Sequence, residues 1–204
     1  MRDVIPKCRV LILSDYAKGL LSNIPDGSCL AQEAITRAVT KGIPVCVDPK
    51  GNDWFRYAGA ACVTPNTREF EAAAGIFSGL SEMEDKAAAL CERYKLERLL
   101  VTRGGKGMAL FERNASPMHI KAKSKEVIDV SGAGDTVIAV LAACLASGLS
   151  WAEAAQYANK AAGVVVSKAG TSPITKMEFE ALHSPGRSSH KIAQTAQRIM
   201  HRNA

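Results

Sequence analysis

An α/β fold built on a mostly parallel sheet is what this 204-residue sequence predicts, and three observations lead there. Short runs rich in leucine and β-branched residues, RVLILSD (9–15), VCVDPKG (45–51) and ACVTPN (61–66), each end in polar residues and alternate with helical stretches. That rhythm is the mark of parallel strands joined by helical crossovers. A hydrophobic content of 47% with 23% charged residues is ordinary globular composition, enough for one domain to bury a core without metal or disulfide staples. The longest apolar run, Val137 to Ala146, is too short to cross a bilayer and so predicts a buried helix.

The elements follow in order. The first strand, 9–15, is succeeded by SCLAQEAITRAVTKGIP, with Ser28 placed as an N-cap and Gly42-Ile43-Pro44 as a stop, so a helix lies between. The second strand leads into a short helical piece near Trp54 to Tyr57, then the third strand and the helix TREFEAAAG, ending at Gly75. SEMEDKAAALCERYKL (81–96) sets Ser81 and Glu84 at capping-box spacing and predicts a helix. RLLVTRGGKGMALFE (98–112) reads as strand, glycine turn, strand, which departs from the βαβ rhythm, and MHIKAK adds another short strand. Asp135 to Ala146 is apolar on every side, as a central helix is. A helix rich in small residues, Trp151 to about Lys168, follows the break at Gly148-Leu149-Ser150. Past Pro173 the character changes: residues 1–176 make the α/β domain, and 177–204 a Ser/Pro/Gly linker with a basic amphipathic helix.

Composition excludes several functions. The net charge of +6, from 26 basic and 20 acidic residues, suits an anionic ligand but equally a solvated surface. The basic residues near the end (Arg187, Lys191, Arg198, Arg202) are not interleaved with aromatics as in single-strand binders, so nucleic acid is not an expected partner. Six scattered cysteines without a C-x-x-C pair behave as small hydrophobes and point to a reducing cytoplasm. The four histidines form no zinc spacing, and neither a signal peptide nor a membrane span is expected.

The stretch KEVIDVSGAGDTVIAV (125–140) carries the chemistry. Small residues leave backbone N–H groups uncovered at a helix start, and with the helix dipole they form an anion site suited to a phosphoryl group. Asp135, at the same turn, is placed to take a proton from a hydroxyl beside that group. The bland alternative is that Asp135 only caps the helix while the glycines turn the chain.

The pieces SDYAKG, VDPKG, TPNTREFE, VTRGGKG, DVSGAGDT and ANKAAGVVVSKAGT occur in this order, and together they resemble the ribokinase-like (phosphofructokinase B type) sugar kinase family. Within it the similarity is to heptose 7-phosphate kinases of lipopolysaccharide core synthesis, and it runs from about Asp3 to Thr175. The resemblance implies a three-layer α/β/α fold, with ATP and Mg²⁺ as cofactors and transfer of the γ-phosphoryl to the anomeric hydroxyl of heptose 7-phosphate. It implies that Asp135 is the catalytic base and that Gly132, Ala133 and Gly134 supply the anion-hole amides. Asn66 and Glu69 match an N-x-x-E element that positions Mg²⁺ and phosphates, although the same pair at capping spacing needs no ligand. Thr102, Gly104 and Gly107 correspond to the nucleotide loop, against the alternative of a plain hairpin turn. Asn159 is placed on the adenine pocket wall, while small-residue helix packing explains its neighbours equally well. Asp129 and Ser131, with Gly170, resemble positions where relatives bind potassium. Asp15, Lys18, Asp48 and Lys50 end strands on one sheet edge, where ligands bind in open α/β folds, and are the substrate candidates.

Relatives also carry a preceding segment with further strands, a small β lid and most sugar contacts. The expectation is therefore an incomplete piece of a longer kinase, fused to or working with an adenylyltransferase. An apolar sheet edge near Val10 to Leu13 then favours oligomerisation, a dimer being the simplest form. A kinase for another sugar or a nucleoside, and a non-catalytic nucleotide-binding fragment, stay open as alternatives.

Overall fold

The computed structural model describes residues 5–21, 29–122, 129–168, 170 and 172–182. Its contacts divide the chain into two compact units, Met1–Thr102 with Ala109–Met118, and Arg103–Met108 with His119–Ala204. A mixed six-stranded sheet runs in sequence order: β1 (Leu11–Ser14), β2 (Val45–Asp48), β3 (Cys62–Val63), β4 (Arg98–Thr102), β5 (Met108–Glu112) and β6 (Met118–Ile120). Strands β1 to β4 are parallel, with Leu11 opposite Val45, Cys46 opposite Cys62 and Val63 opposite Leu99. The chain then reverses. Arg103 N–H donates to the Gly107 carbonyl at 2.8 Å and Arg113 N–H to the Glu97 carbonyl at 3.1 Å, so β5 returns antiparallel to β4. The strand, glycine turn, strand reading of 98–112 is what the structure shows.

In the first unit, alternation along each strand decides which face is core. Val45 and Val47, Val63, Leu99 and Val101, and Ala109 and Phe111 share one cluster with the helices. Onto it pack α1 (Leu30–Val39) through Ala31, Ala34, Ile35 and Ala38, and α3 (Leu80–Arg93) through Met83, Ala87, Leu90 and Cys91. Both helices repeat their buried positions every three or four residues, the amphipathic spacing that drives docking, and each large side chain so buried contributes about 1.5–3 kcal/mol. Between them α2 (Thr67–Ala74) inserts Phe70. The intervening strand positions, Cys46 and Cys62, are fully buried and outside this cluster. Burial pushes the Cys46 thiol up to about 12, so it behaves as a small hydrophobe, as the scattered cysteines predict.

Two helix starts differ from expectation. Ser28 lies outside the described residues, and the N-cap of α1 is Cys29, which makes no side-chain capping bond. The Ser81–Glu84 box does not form. Glu82 instead takes both the N–H and the hydroxyl of Ser78 at 2.9 Å, which starts α3 earlier, with Gly79 as the extended N-cap.

In the second unit, α4 (Ala133–Ala146) and α5 (Trp151–Val165) pack together. Every residue from Thr136 to Cys144 is buried, the all-round burial read from the sequence. The face of α5 is Ala154, Ala155, Ala158 and Ala161, small enough for the two axes to approach closely. Ser150 and Glu153 cap α5 with a full capping box, and Thr175 and Glu178 do the same for α6 (Lys176–Ala181). Helix α6 runs across the 176/177 boundary expected between domain and linker, and residues 183–204, with the expected basic helix, lie outside the described residues. Among the described residues no helix is long and apolar enough to cross a membrane.

Candidate functional site

The first unit brings one group of candidates together at the C-terminal ends of its parallel strands. Asn66 caps α2, its side chain accepting the Glu69 N–H at 3.0 Å while Glu69 Oε2 accepts the Asn66 N–H at 3.1 Å. The capping box read from the sequence is therefore present. The other oxygen of Glu69 points elsewhere: Oε1 lies 3.1 Å from Lys50 Nζ. Thr102 joins the same corner through its backbone, donating to the Pro65 carbonyl at 2.9 Å and accepting from the Thr67 hydroxyl at 3.3 Å. Asn66, Glu69, Lys50 and Thr102 thus form one polar corner.

Asp15 has a different surrounding. Only 5% exposed, its carboxylate accepts from the Tyr57 hydroxyl at 2.5 Å and the Ala17 N–H at 2.8 Å, with Arg56 at 3.6 Å. Its backbone N–H donates to the Asp48 carbonyl at 3.0 Å, which ties the ends of β1 and β2 together. Asp15 is built into the scaffold, while half-buried Asp48 ends β2 and exposed Lys18 lies in the bend that follows β1. The sequence predicts the short helical piece carrying Tyr57 and Arg56 but not their role at Asp15, because a three-residue 3₁₀ turn carries no periodic signal.

The second unit holds the glycine-rich candidates. Gly132 is the N-cap of α4 in the left-handed region, φ 77°, and makes no side-chain cap. Ala133 N–H closes the turn onto the Val130 carbonyl at 3.2 Å, so of the three expected anion-hole amides this one is already engaged. Among the described residues no backbone acceptor meets the N–H groups of Gly132 or Gly134, and a Cβ built on Gly134 meets open space. Asp135 stands exposed in the first turn of α4, at its positive dipole end. Beneath it Thr136 is buried, with its hydroxyl on the Gly132 carbonyl at 2.9 Å.

Gly104 and Gly107 shape the turn after β4. Gly107 has φ 85°, and a Cβ there would come within 1.9 Å of the Ile120 carbonyl oxygen and 2.6 Å of the Ala122 nitrogen. Asn159, 5% exposed, donates from Nδ2 to the Lys121 carbonyl at 2.9 Å. Gly107 and Asn159 therefore converge on the same three residues of main chain, 120–122, at the end of the short strand expected at MHIKAK. Asp129 accepts the Ser131 N–H at 2.8 Å, and that bond, with one from the Ser131 side chain, holds its carboxyl below the usual range. Its own N–H reaches the Val166 carbonyl at 3.2 Å, and Gly170 stands exposed nearby in sequence to Val166.

This mixed, mostly parallel sheet with its helices is a fold shared with ribokinase-like kinases. The structure is similar to that of Arabidopsis thaliana ribokinase complexed with ribose and ATP, with a TM-score of 0.72 at 21% identity over 96% of this chain and 58% of that one. It is similar also to phosphofructokinase-2 of Escherichia coli in complex with potassium, with a TM-score of 0.68 at 17% identity over 98% and 60%. The chain belongs to the pfkB family of carbohydrate kinases, whose family model matches residues 16–177. It is 48% identical over 184 residues to the bifunctional protein HldE of Vibrio cholerae, a match covering 90% of this chain and 37% of that protein. The chain thus spans little more than a third of the length of this curated relative.

Proposed function

We propose that this chain is part of an ATP-dependent sugar kinase that phosphorylates heptose 7-phosphate at its anomeric hydroxyl, giving the 1,7-bisphosphate. One observation carries the reading: an exposed carboxylate, Asp135, occupies the first turn of a buried helix behind glycines whose N–H groups meet no backbone acceptor among the described residues. Family membership supports the reaction class, and the likeness to HldE supports the heptose acceptor. An adenylyltransferase, fused or separate, is the proposed partner activity, and a relative named as bifunctional supports a second activity of some kind. The free cysteines suit the cytoplasm.

The residues present fit a magnesium nucleotide. Glu69, with one oxygen on the Asn66 N–H and the other on Lys50, is a single carboxylate at the strand ends, and magnesium is held by one or two carboxylates with waters and substrate phosphates. Glu69 is the carboxylate to hold it, Lys50 the cation for phosphate, and Thr102, Gly104, Gly107 and Asn159 the nucleotide-binding residues. When bound, Mg·ATP supplies the phosphoryl group and the charge that neutralises its oxygens. Asp135 orients the acceptor hydroxyl and takes its proton as the oxygen attacks. The N–H groups of Gly132 and Gly134, with the dipole of α4, stabilise negative charge gathering on the transferred group. Lys18, Asp48 and Lys50 are the substrate-facing set, while Asp15 braces the strand ends. Asp129 and Ser131 are proposed for potassium, which the phosphofructokinase-2 structure contains.

The test is phosphorylation by the full-length kinase that carries this chain, supplied with Mg·ATP and a panel of heptose 7-phosphate, fructose 6-phosphate, ribose and adenosine. Heptose 7-phosphate is expected to give the highest kcat/KM, and preference for another acceptor overturns the heptose assignment. Asp135→Asn is expected to lower kcat by about 10²–10⁴-fold with Mg·ATP affinity nearly intact. Retained turnover rejects Asp135 as the base.

A further inference from the structure

We propose that Tyr57, with Arg56 beside it, is the positioning residue of the Lys50–Glu69 pair, an inference that rests on reading that pair as the phosphate and metal corner. The geometry begins with Lys50, whose backbone is gripped on both sides. Its N–H donates to the Tyr57 hydroxyl at 3.1 Å, and its carbonyl accepts from Arg56 Nη2 at 2.9 Å. Only the side chain is left to reach out, and it is 54% exposed as it meets Glu69 Oε1. A long lysine in water samples many rotamers, so fixing its backbone is the economical way to aim the ammonium.

Tyr57 is itself fully buried, and its hydroxyl donates onward to Asp15 Oδ2 at 2.5 Å. Burial, and then the hydrogen bond to Asp15, raise the phenol well above its ordinary value, so it stays a donor across the working pH range. Arg56 lies 3.6 Å from the same carboxylate and donates from Nε to the Asp53 carbonyl at 3.2 Å. The turn carrying both residues is held by Gln32, whose Nε2 reaches the carbonyls of Phe55, Arg56 and Ala58 at 3.2, 3.0 and 3.1 Å. The bonds therefore run from the end of β1, through Asp15 and Tyr57, to the backbone of Lys50 after β2. From Lys50 Nζ they continue to Glu69 and the N-cap of α2 after β3. One phenol couples three strand ends.

Two measurements separate this proposal from the nucleotide reading. The first needs no ligand: trace acetylation of the folded protein with acetic anhydride, quantified by peptide mass spectrometry, with ion-paired Lys86 and Lys168 as internal references. In Tyr57→Phe, Lys50 is expected to become about two- to fivefold more reactive, matching Glu69→Gln, as a half-exposed ion pair is released. The two references are expected to stay unchanged. An unchanged Lys50 overturns the proposal, as does an equal rise at all three lysines, which marks general loosening. Should Tyr57→Phe not fold, Arg56→Met frees the Lys50 carbonyl and carries the same expectation and the same overturning result.

The second is a double-mutant cycle in Mg·ATP affinity by calorimetry. Tyr57→Phe and Lys50→Gln are each expected to weaken binding, and the double variant to bind no more weakly than Lys50→Gln alone. Additive losses overturn action through Lys50. If the parent protein binds no Mg·ATP while Lys50 labelling responds as expected, the nucleotide reading falls and the positioning role stands.

Discussion

The corner at Lys50 and Glu69 and the turn at Gly132 to Asp135 hold their candidate groups by opposite means. In the first unit, side chains bond to side chains and to strand ends: Asp15 to Tyr57, Lys50 to Glu69, Asn66 and Glu69 to each other's backbone. In the second, the main chain does the holding, through a left-handed glycine, a closed Val130–Ala133 turn and a helix buried from Thr136 to Cys144. The two corners fail differently as a result. A polar network is sensitive to the loss of one donor, whereas a packed backbone is sensitive to added volume.

The largest effect that would sharpen this contrast is expected at Gly107 in the second unit. Gly107→Ala sets a methyl 1.9 Å from the Ile120 carbonyl oxygen, on main chain that cannot rotate away, and at φ 85° where a side chain is strained in any case. Overpacking and strain together are expected to cost about 2–5 kcal/mol. Urea unfolding measures the loss, and hydrogen exchange locates it: protection is expected to fall around 118–122 and to persist in α2. A variant as stable as the parent breaks the contrast, because the second unit then tolerates volume.

Next comes Asn66, in the first unit. Asn66→Ala removes the N-cap of α2 and is expected to cost about 1 kcal/mol, while Asn66→Asp keeps an acceptor for the Glu69 N–H and costs a few tenths, about the spread among good caps. The pair sharpens the reading because stability and ligand affinity part company. If both variants lose Mg·ATP affinity although only Ala loses stability, Asn66 contacts the ligand. If affinity follows stability, Asn66 is a cap alone.

Much of this was legible in the sequence, and the reasons for the remainder are physical. Strand runs ending in SD, VD and TPN placed β1, β2 and β3 because parallel strands buried on both faces need continuous apolar residues. The all-apolar run placed α4, and N-T-R-E placed the Asn66–Glu69 box. The same spacing rule misread Ser81, because Ser78 offers Glu82 two donors and captures the helix start first. The same spacing at Ser150–Glu153 and Thr175–Glu178 does form the box. The sequence places the turn of Tyr57 and the strand leading to 120–122 but not what they do, since both matter through contacts distant in sequence, 42 residues for Tyr57 to Asp15 and 38 for Asn159 to Lys121. Local pattern carries no record of such contacts.

The smallest effect is expected at Glu178, where the second unit does use a side-chain network. Its carboxylate accepts from Lys168 Nζ at 2.7 Å and from the N–H and hydroxyl of Thr175, each at 2.7 Å, while Lys168 also donates to the Pro173 carbonyl. The hydrogen bond from Lys168 first, and that from the Thr175 N–H second, hold its carboxyl down to about 2 from an ordinary 4.5. A depressed carboxylate contributes stability that is present above the unfolded value and is lost as pH falls through the folded one, so the window runs from about 4.5 down to about 2. Thermal melts of the parent and Glu178→Gln are expected to differ most above pH 5 and to converge toward pH 2. With the side chain a third exposed, solvent screening keeps the difference modest. A gap between the two melting temperatures that stays constant over this range would mean that Glu178 stabilises by packing rather than by charge, and the side-chain network would then be a feature of the first unit's corner alone.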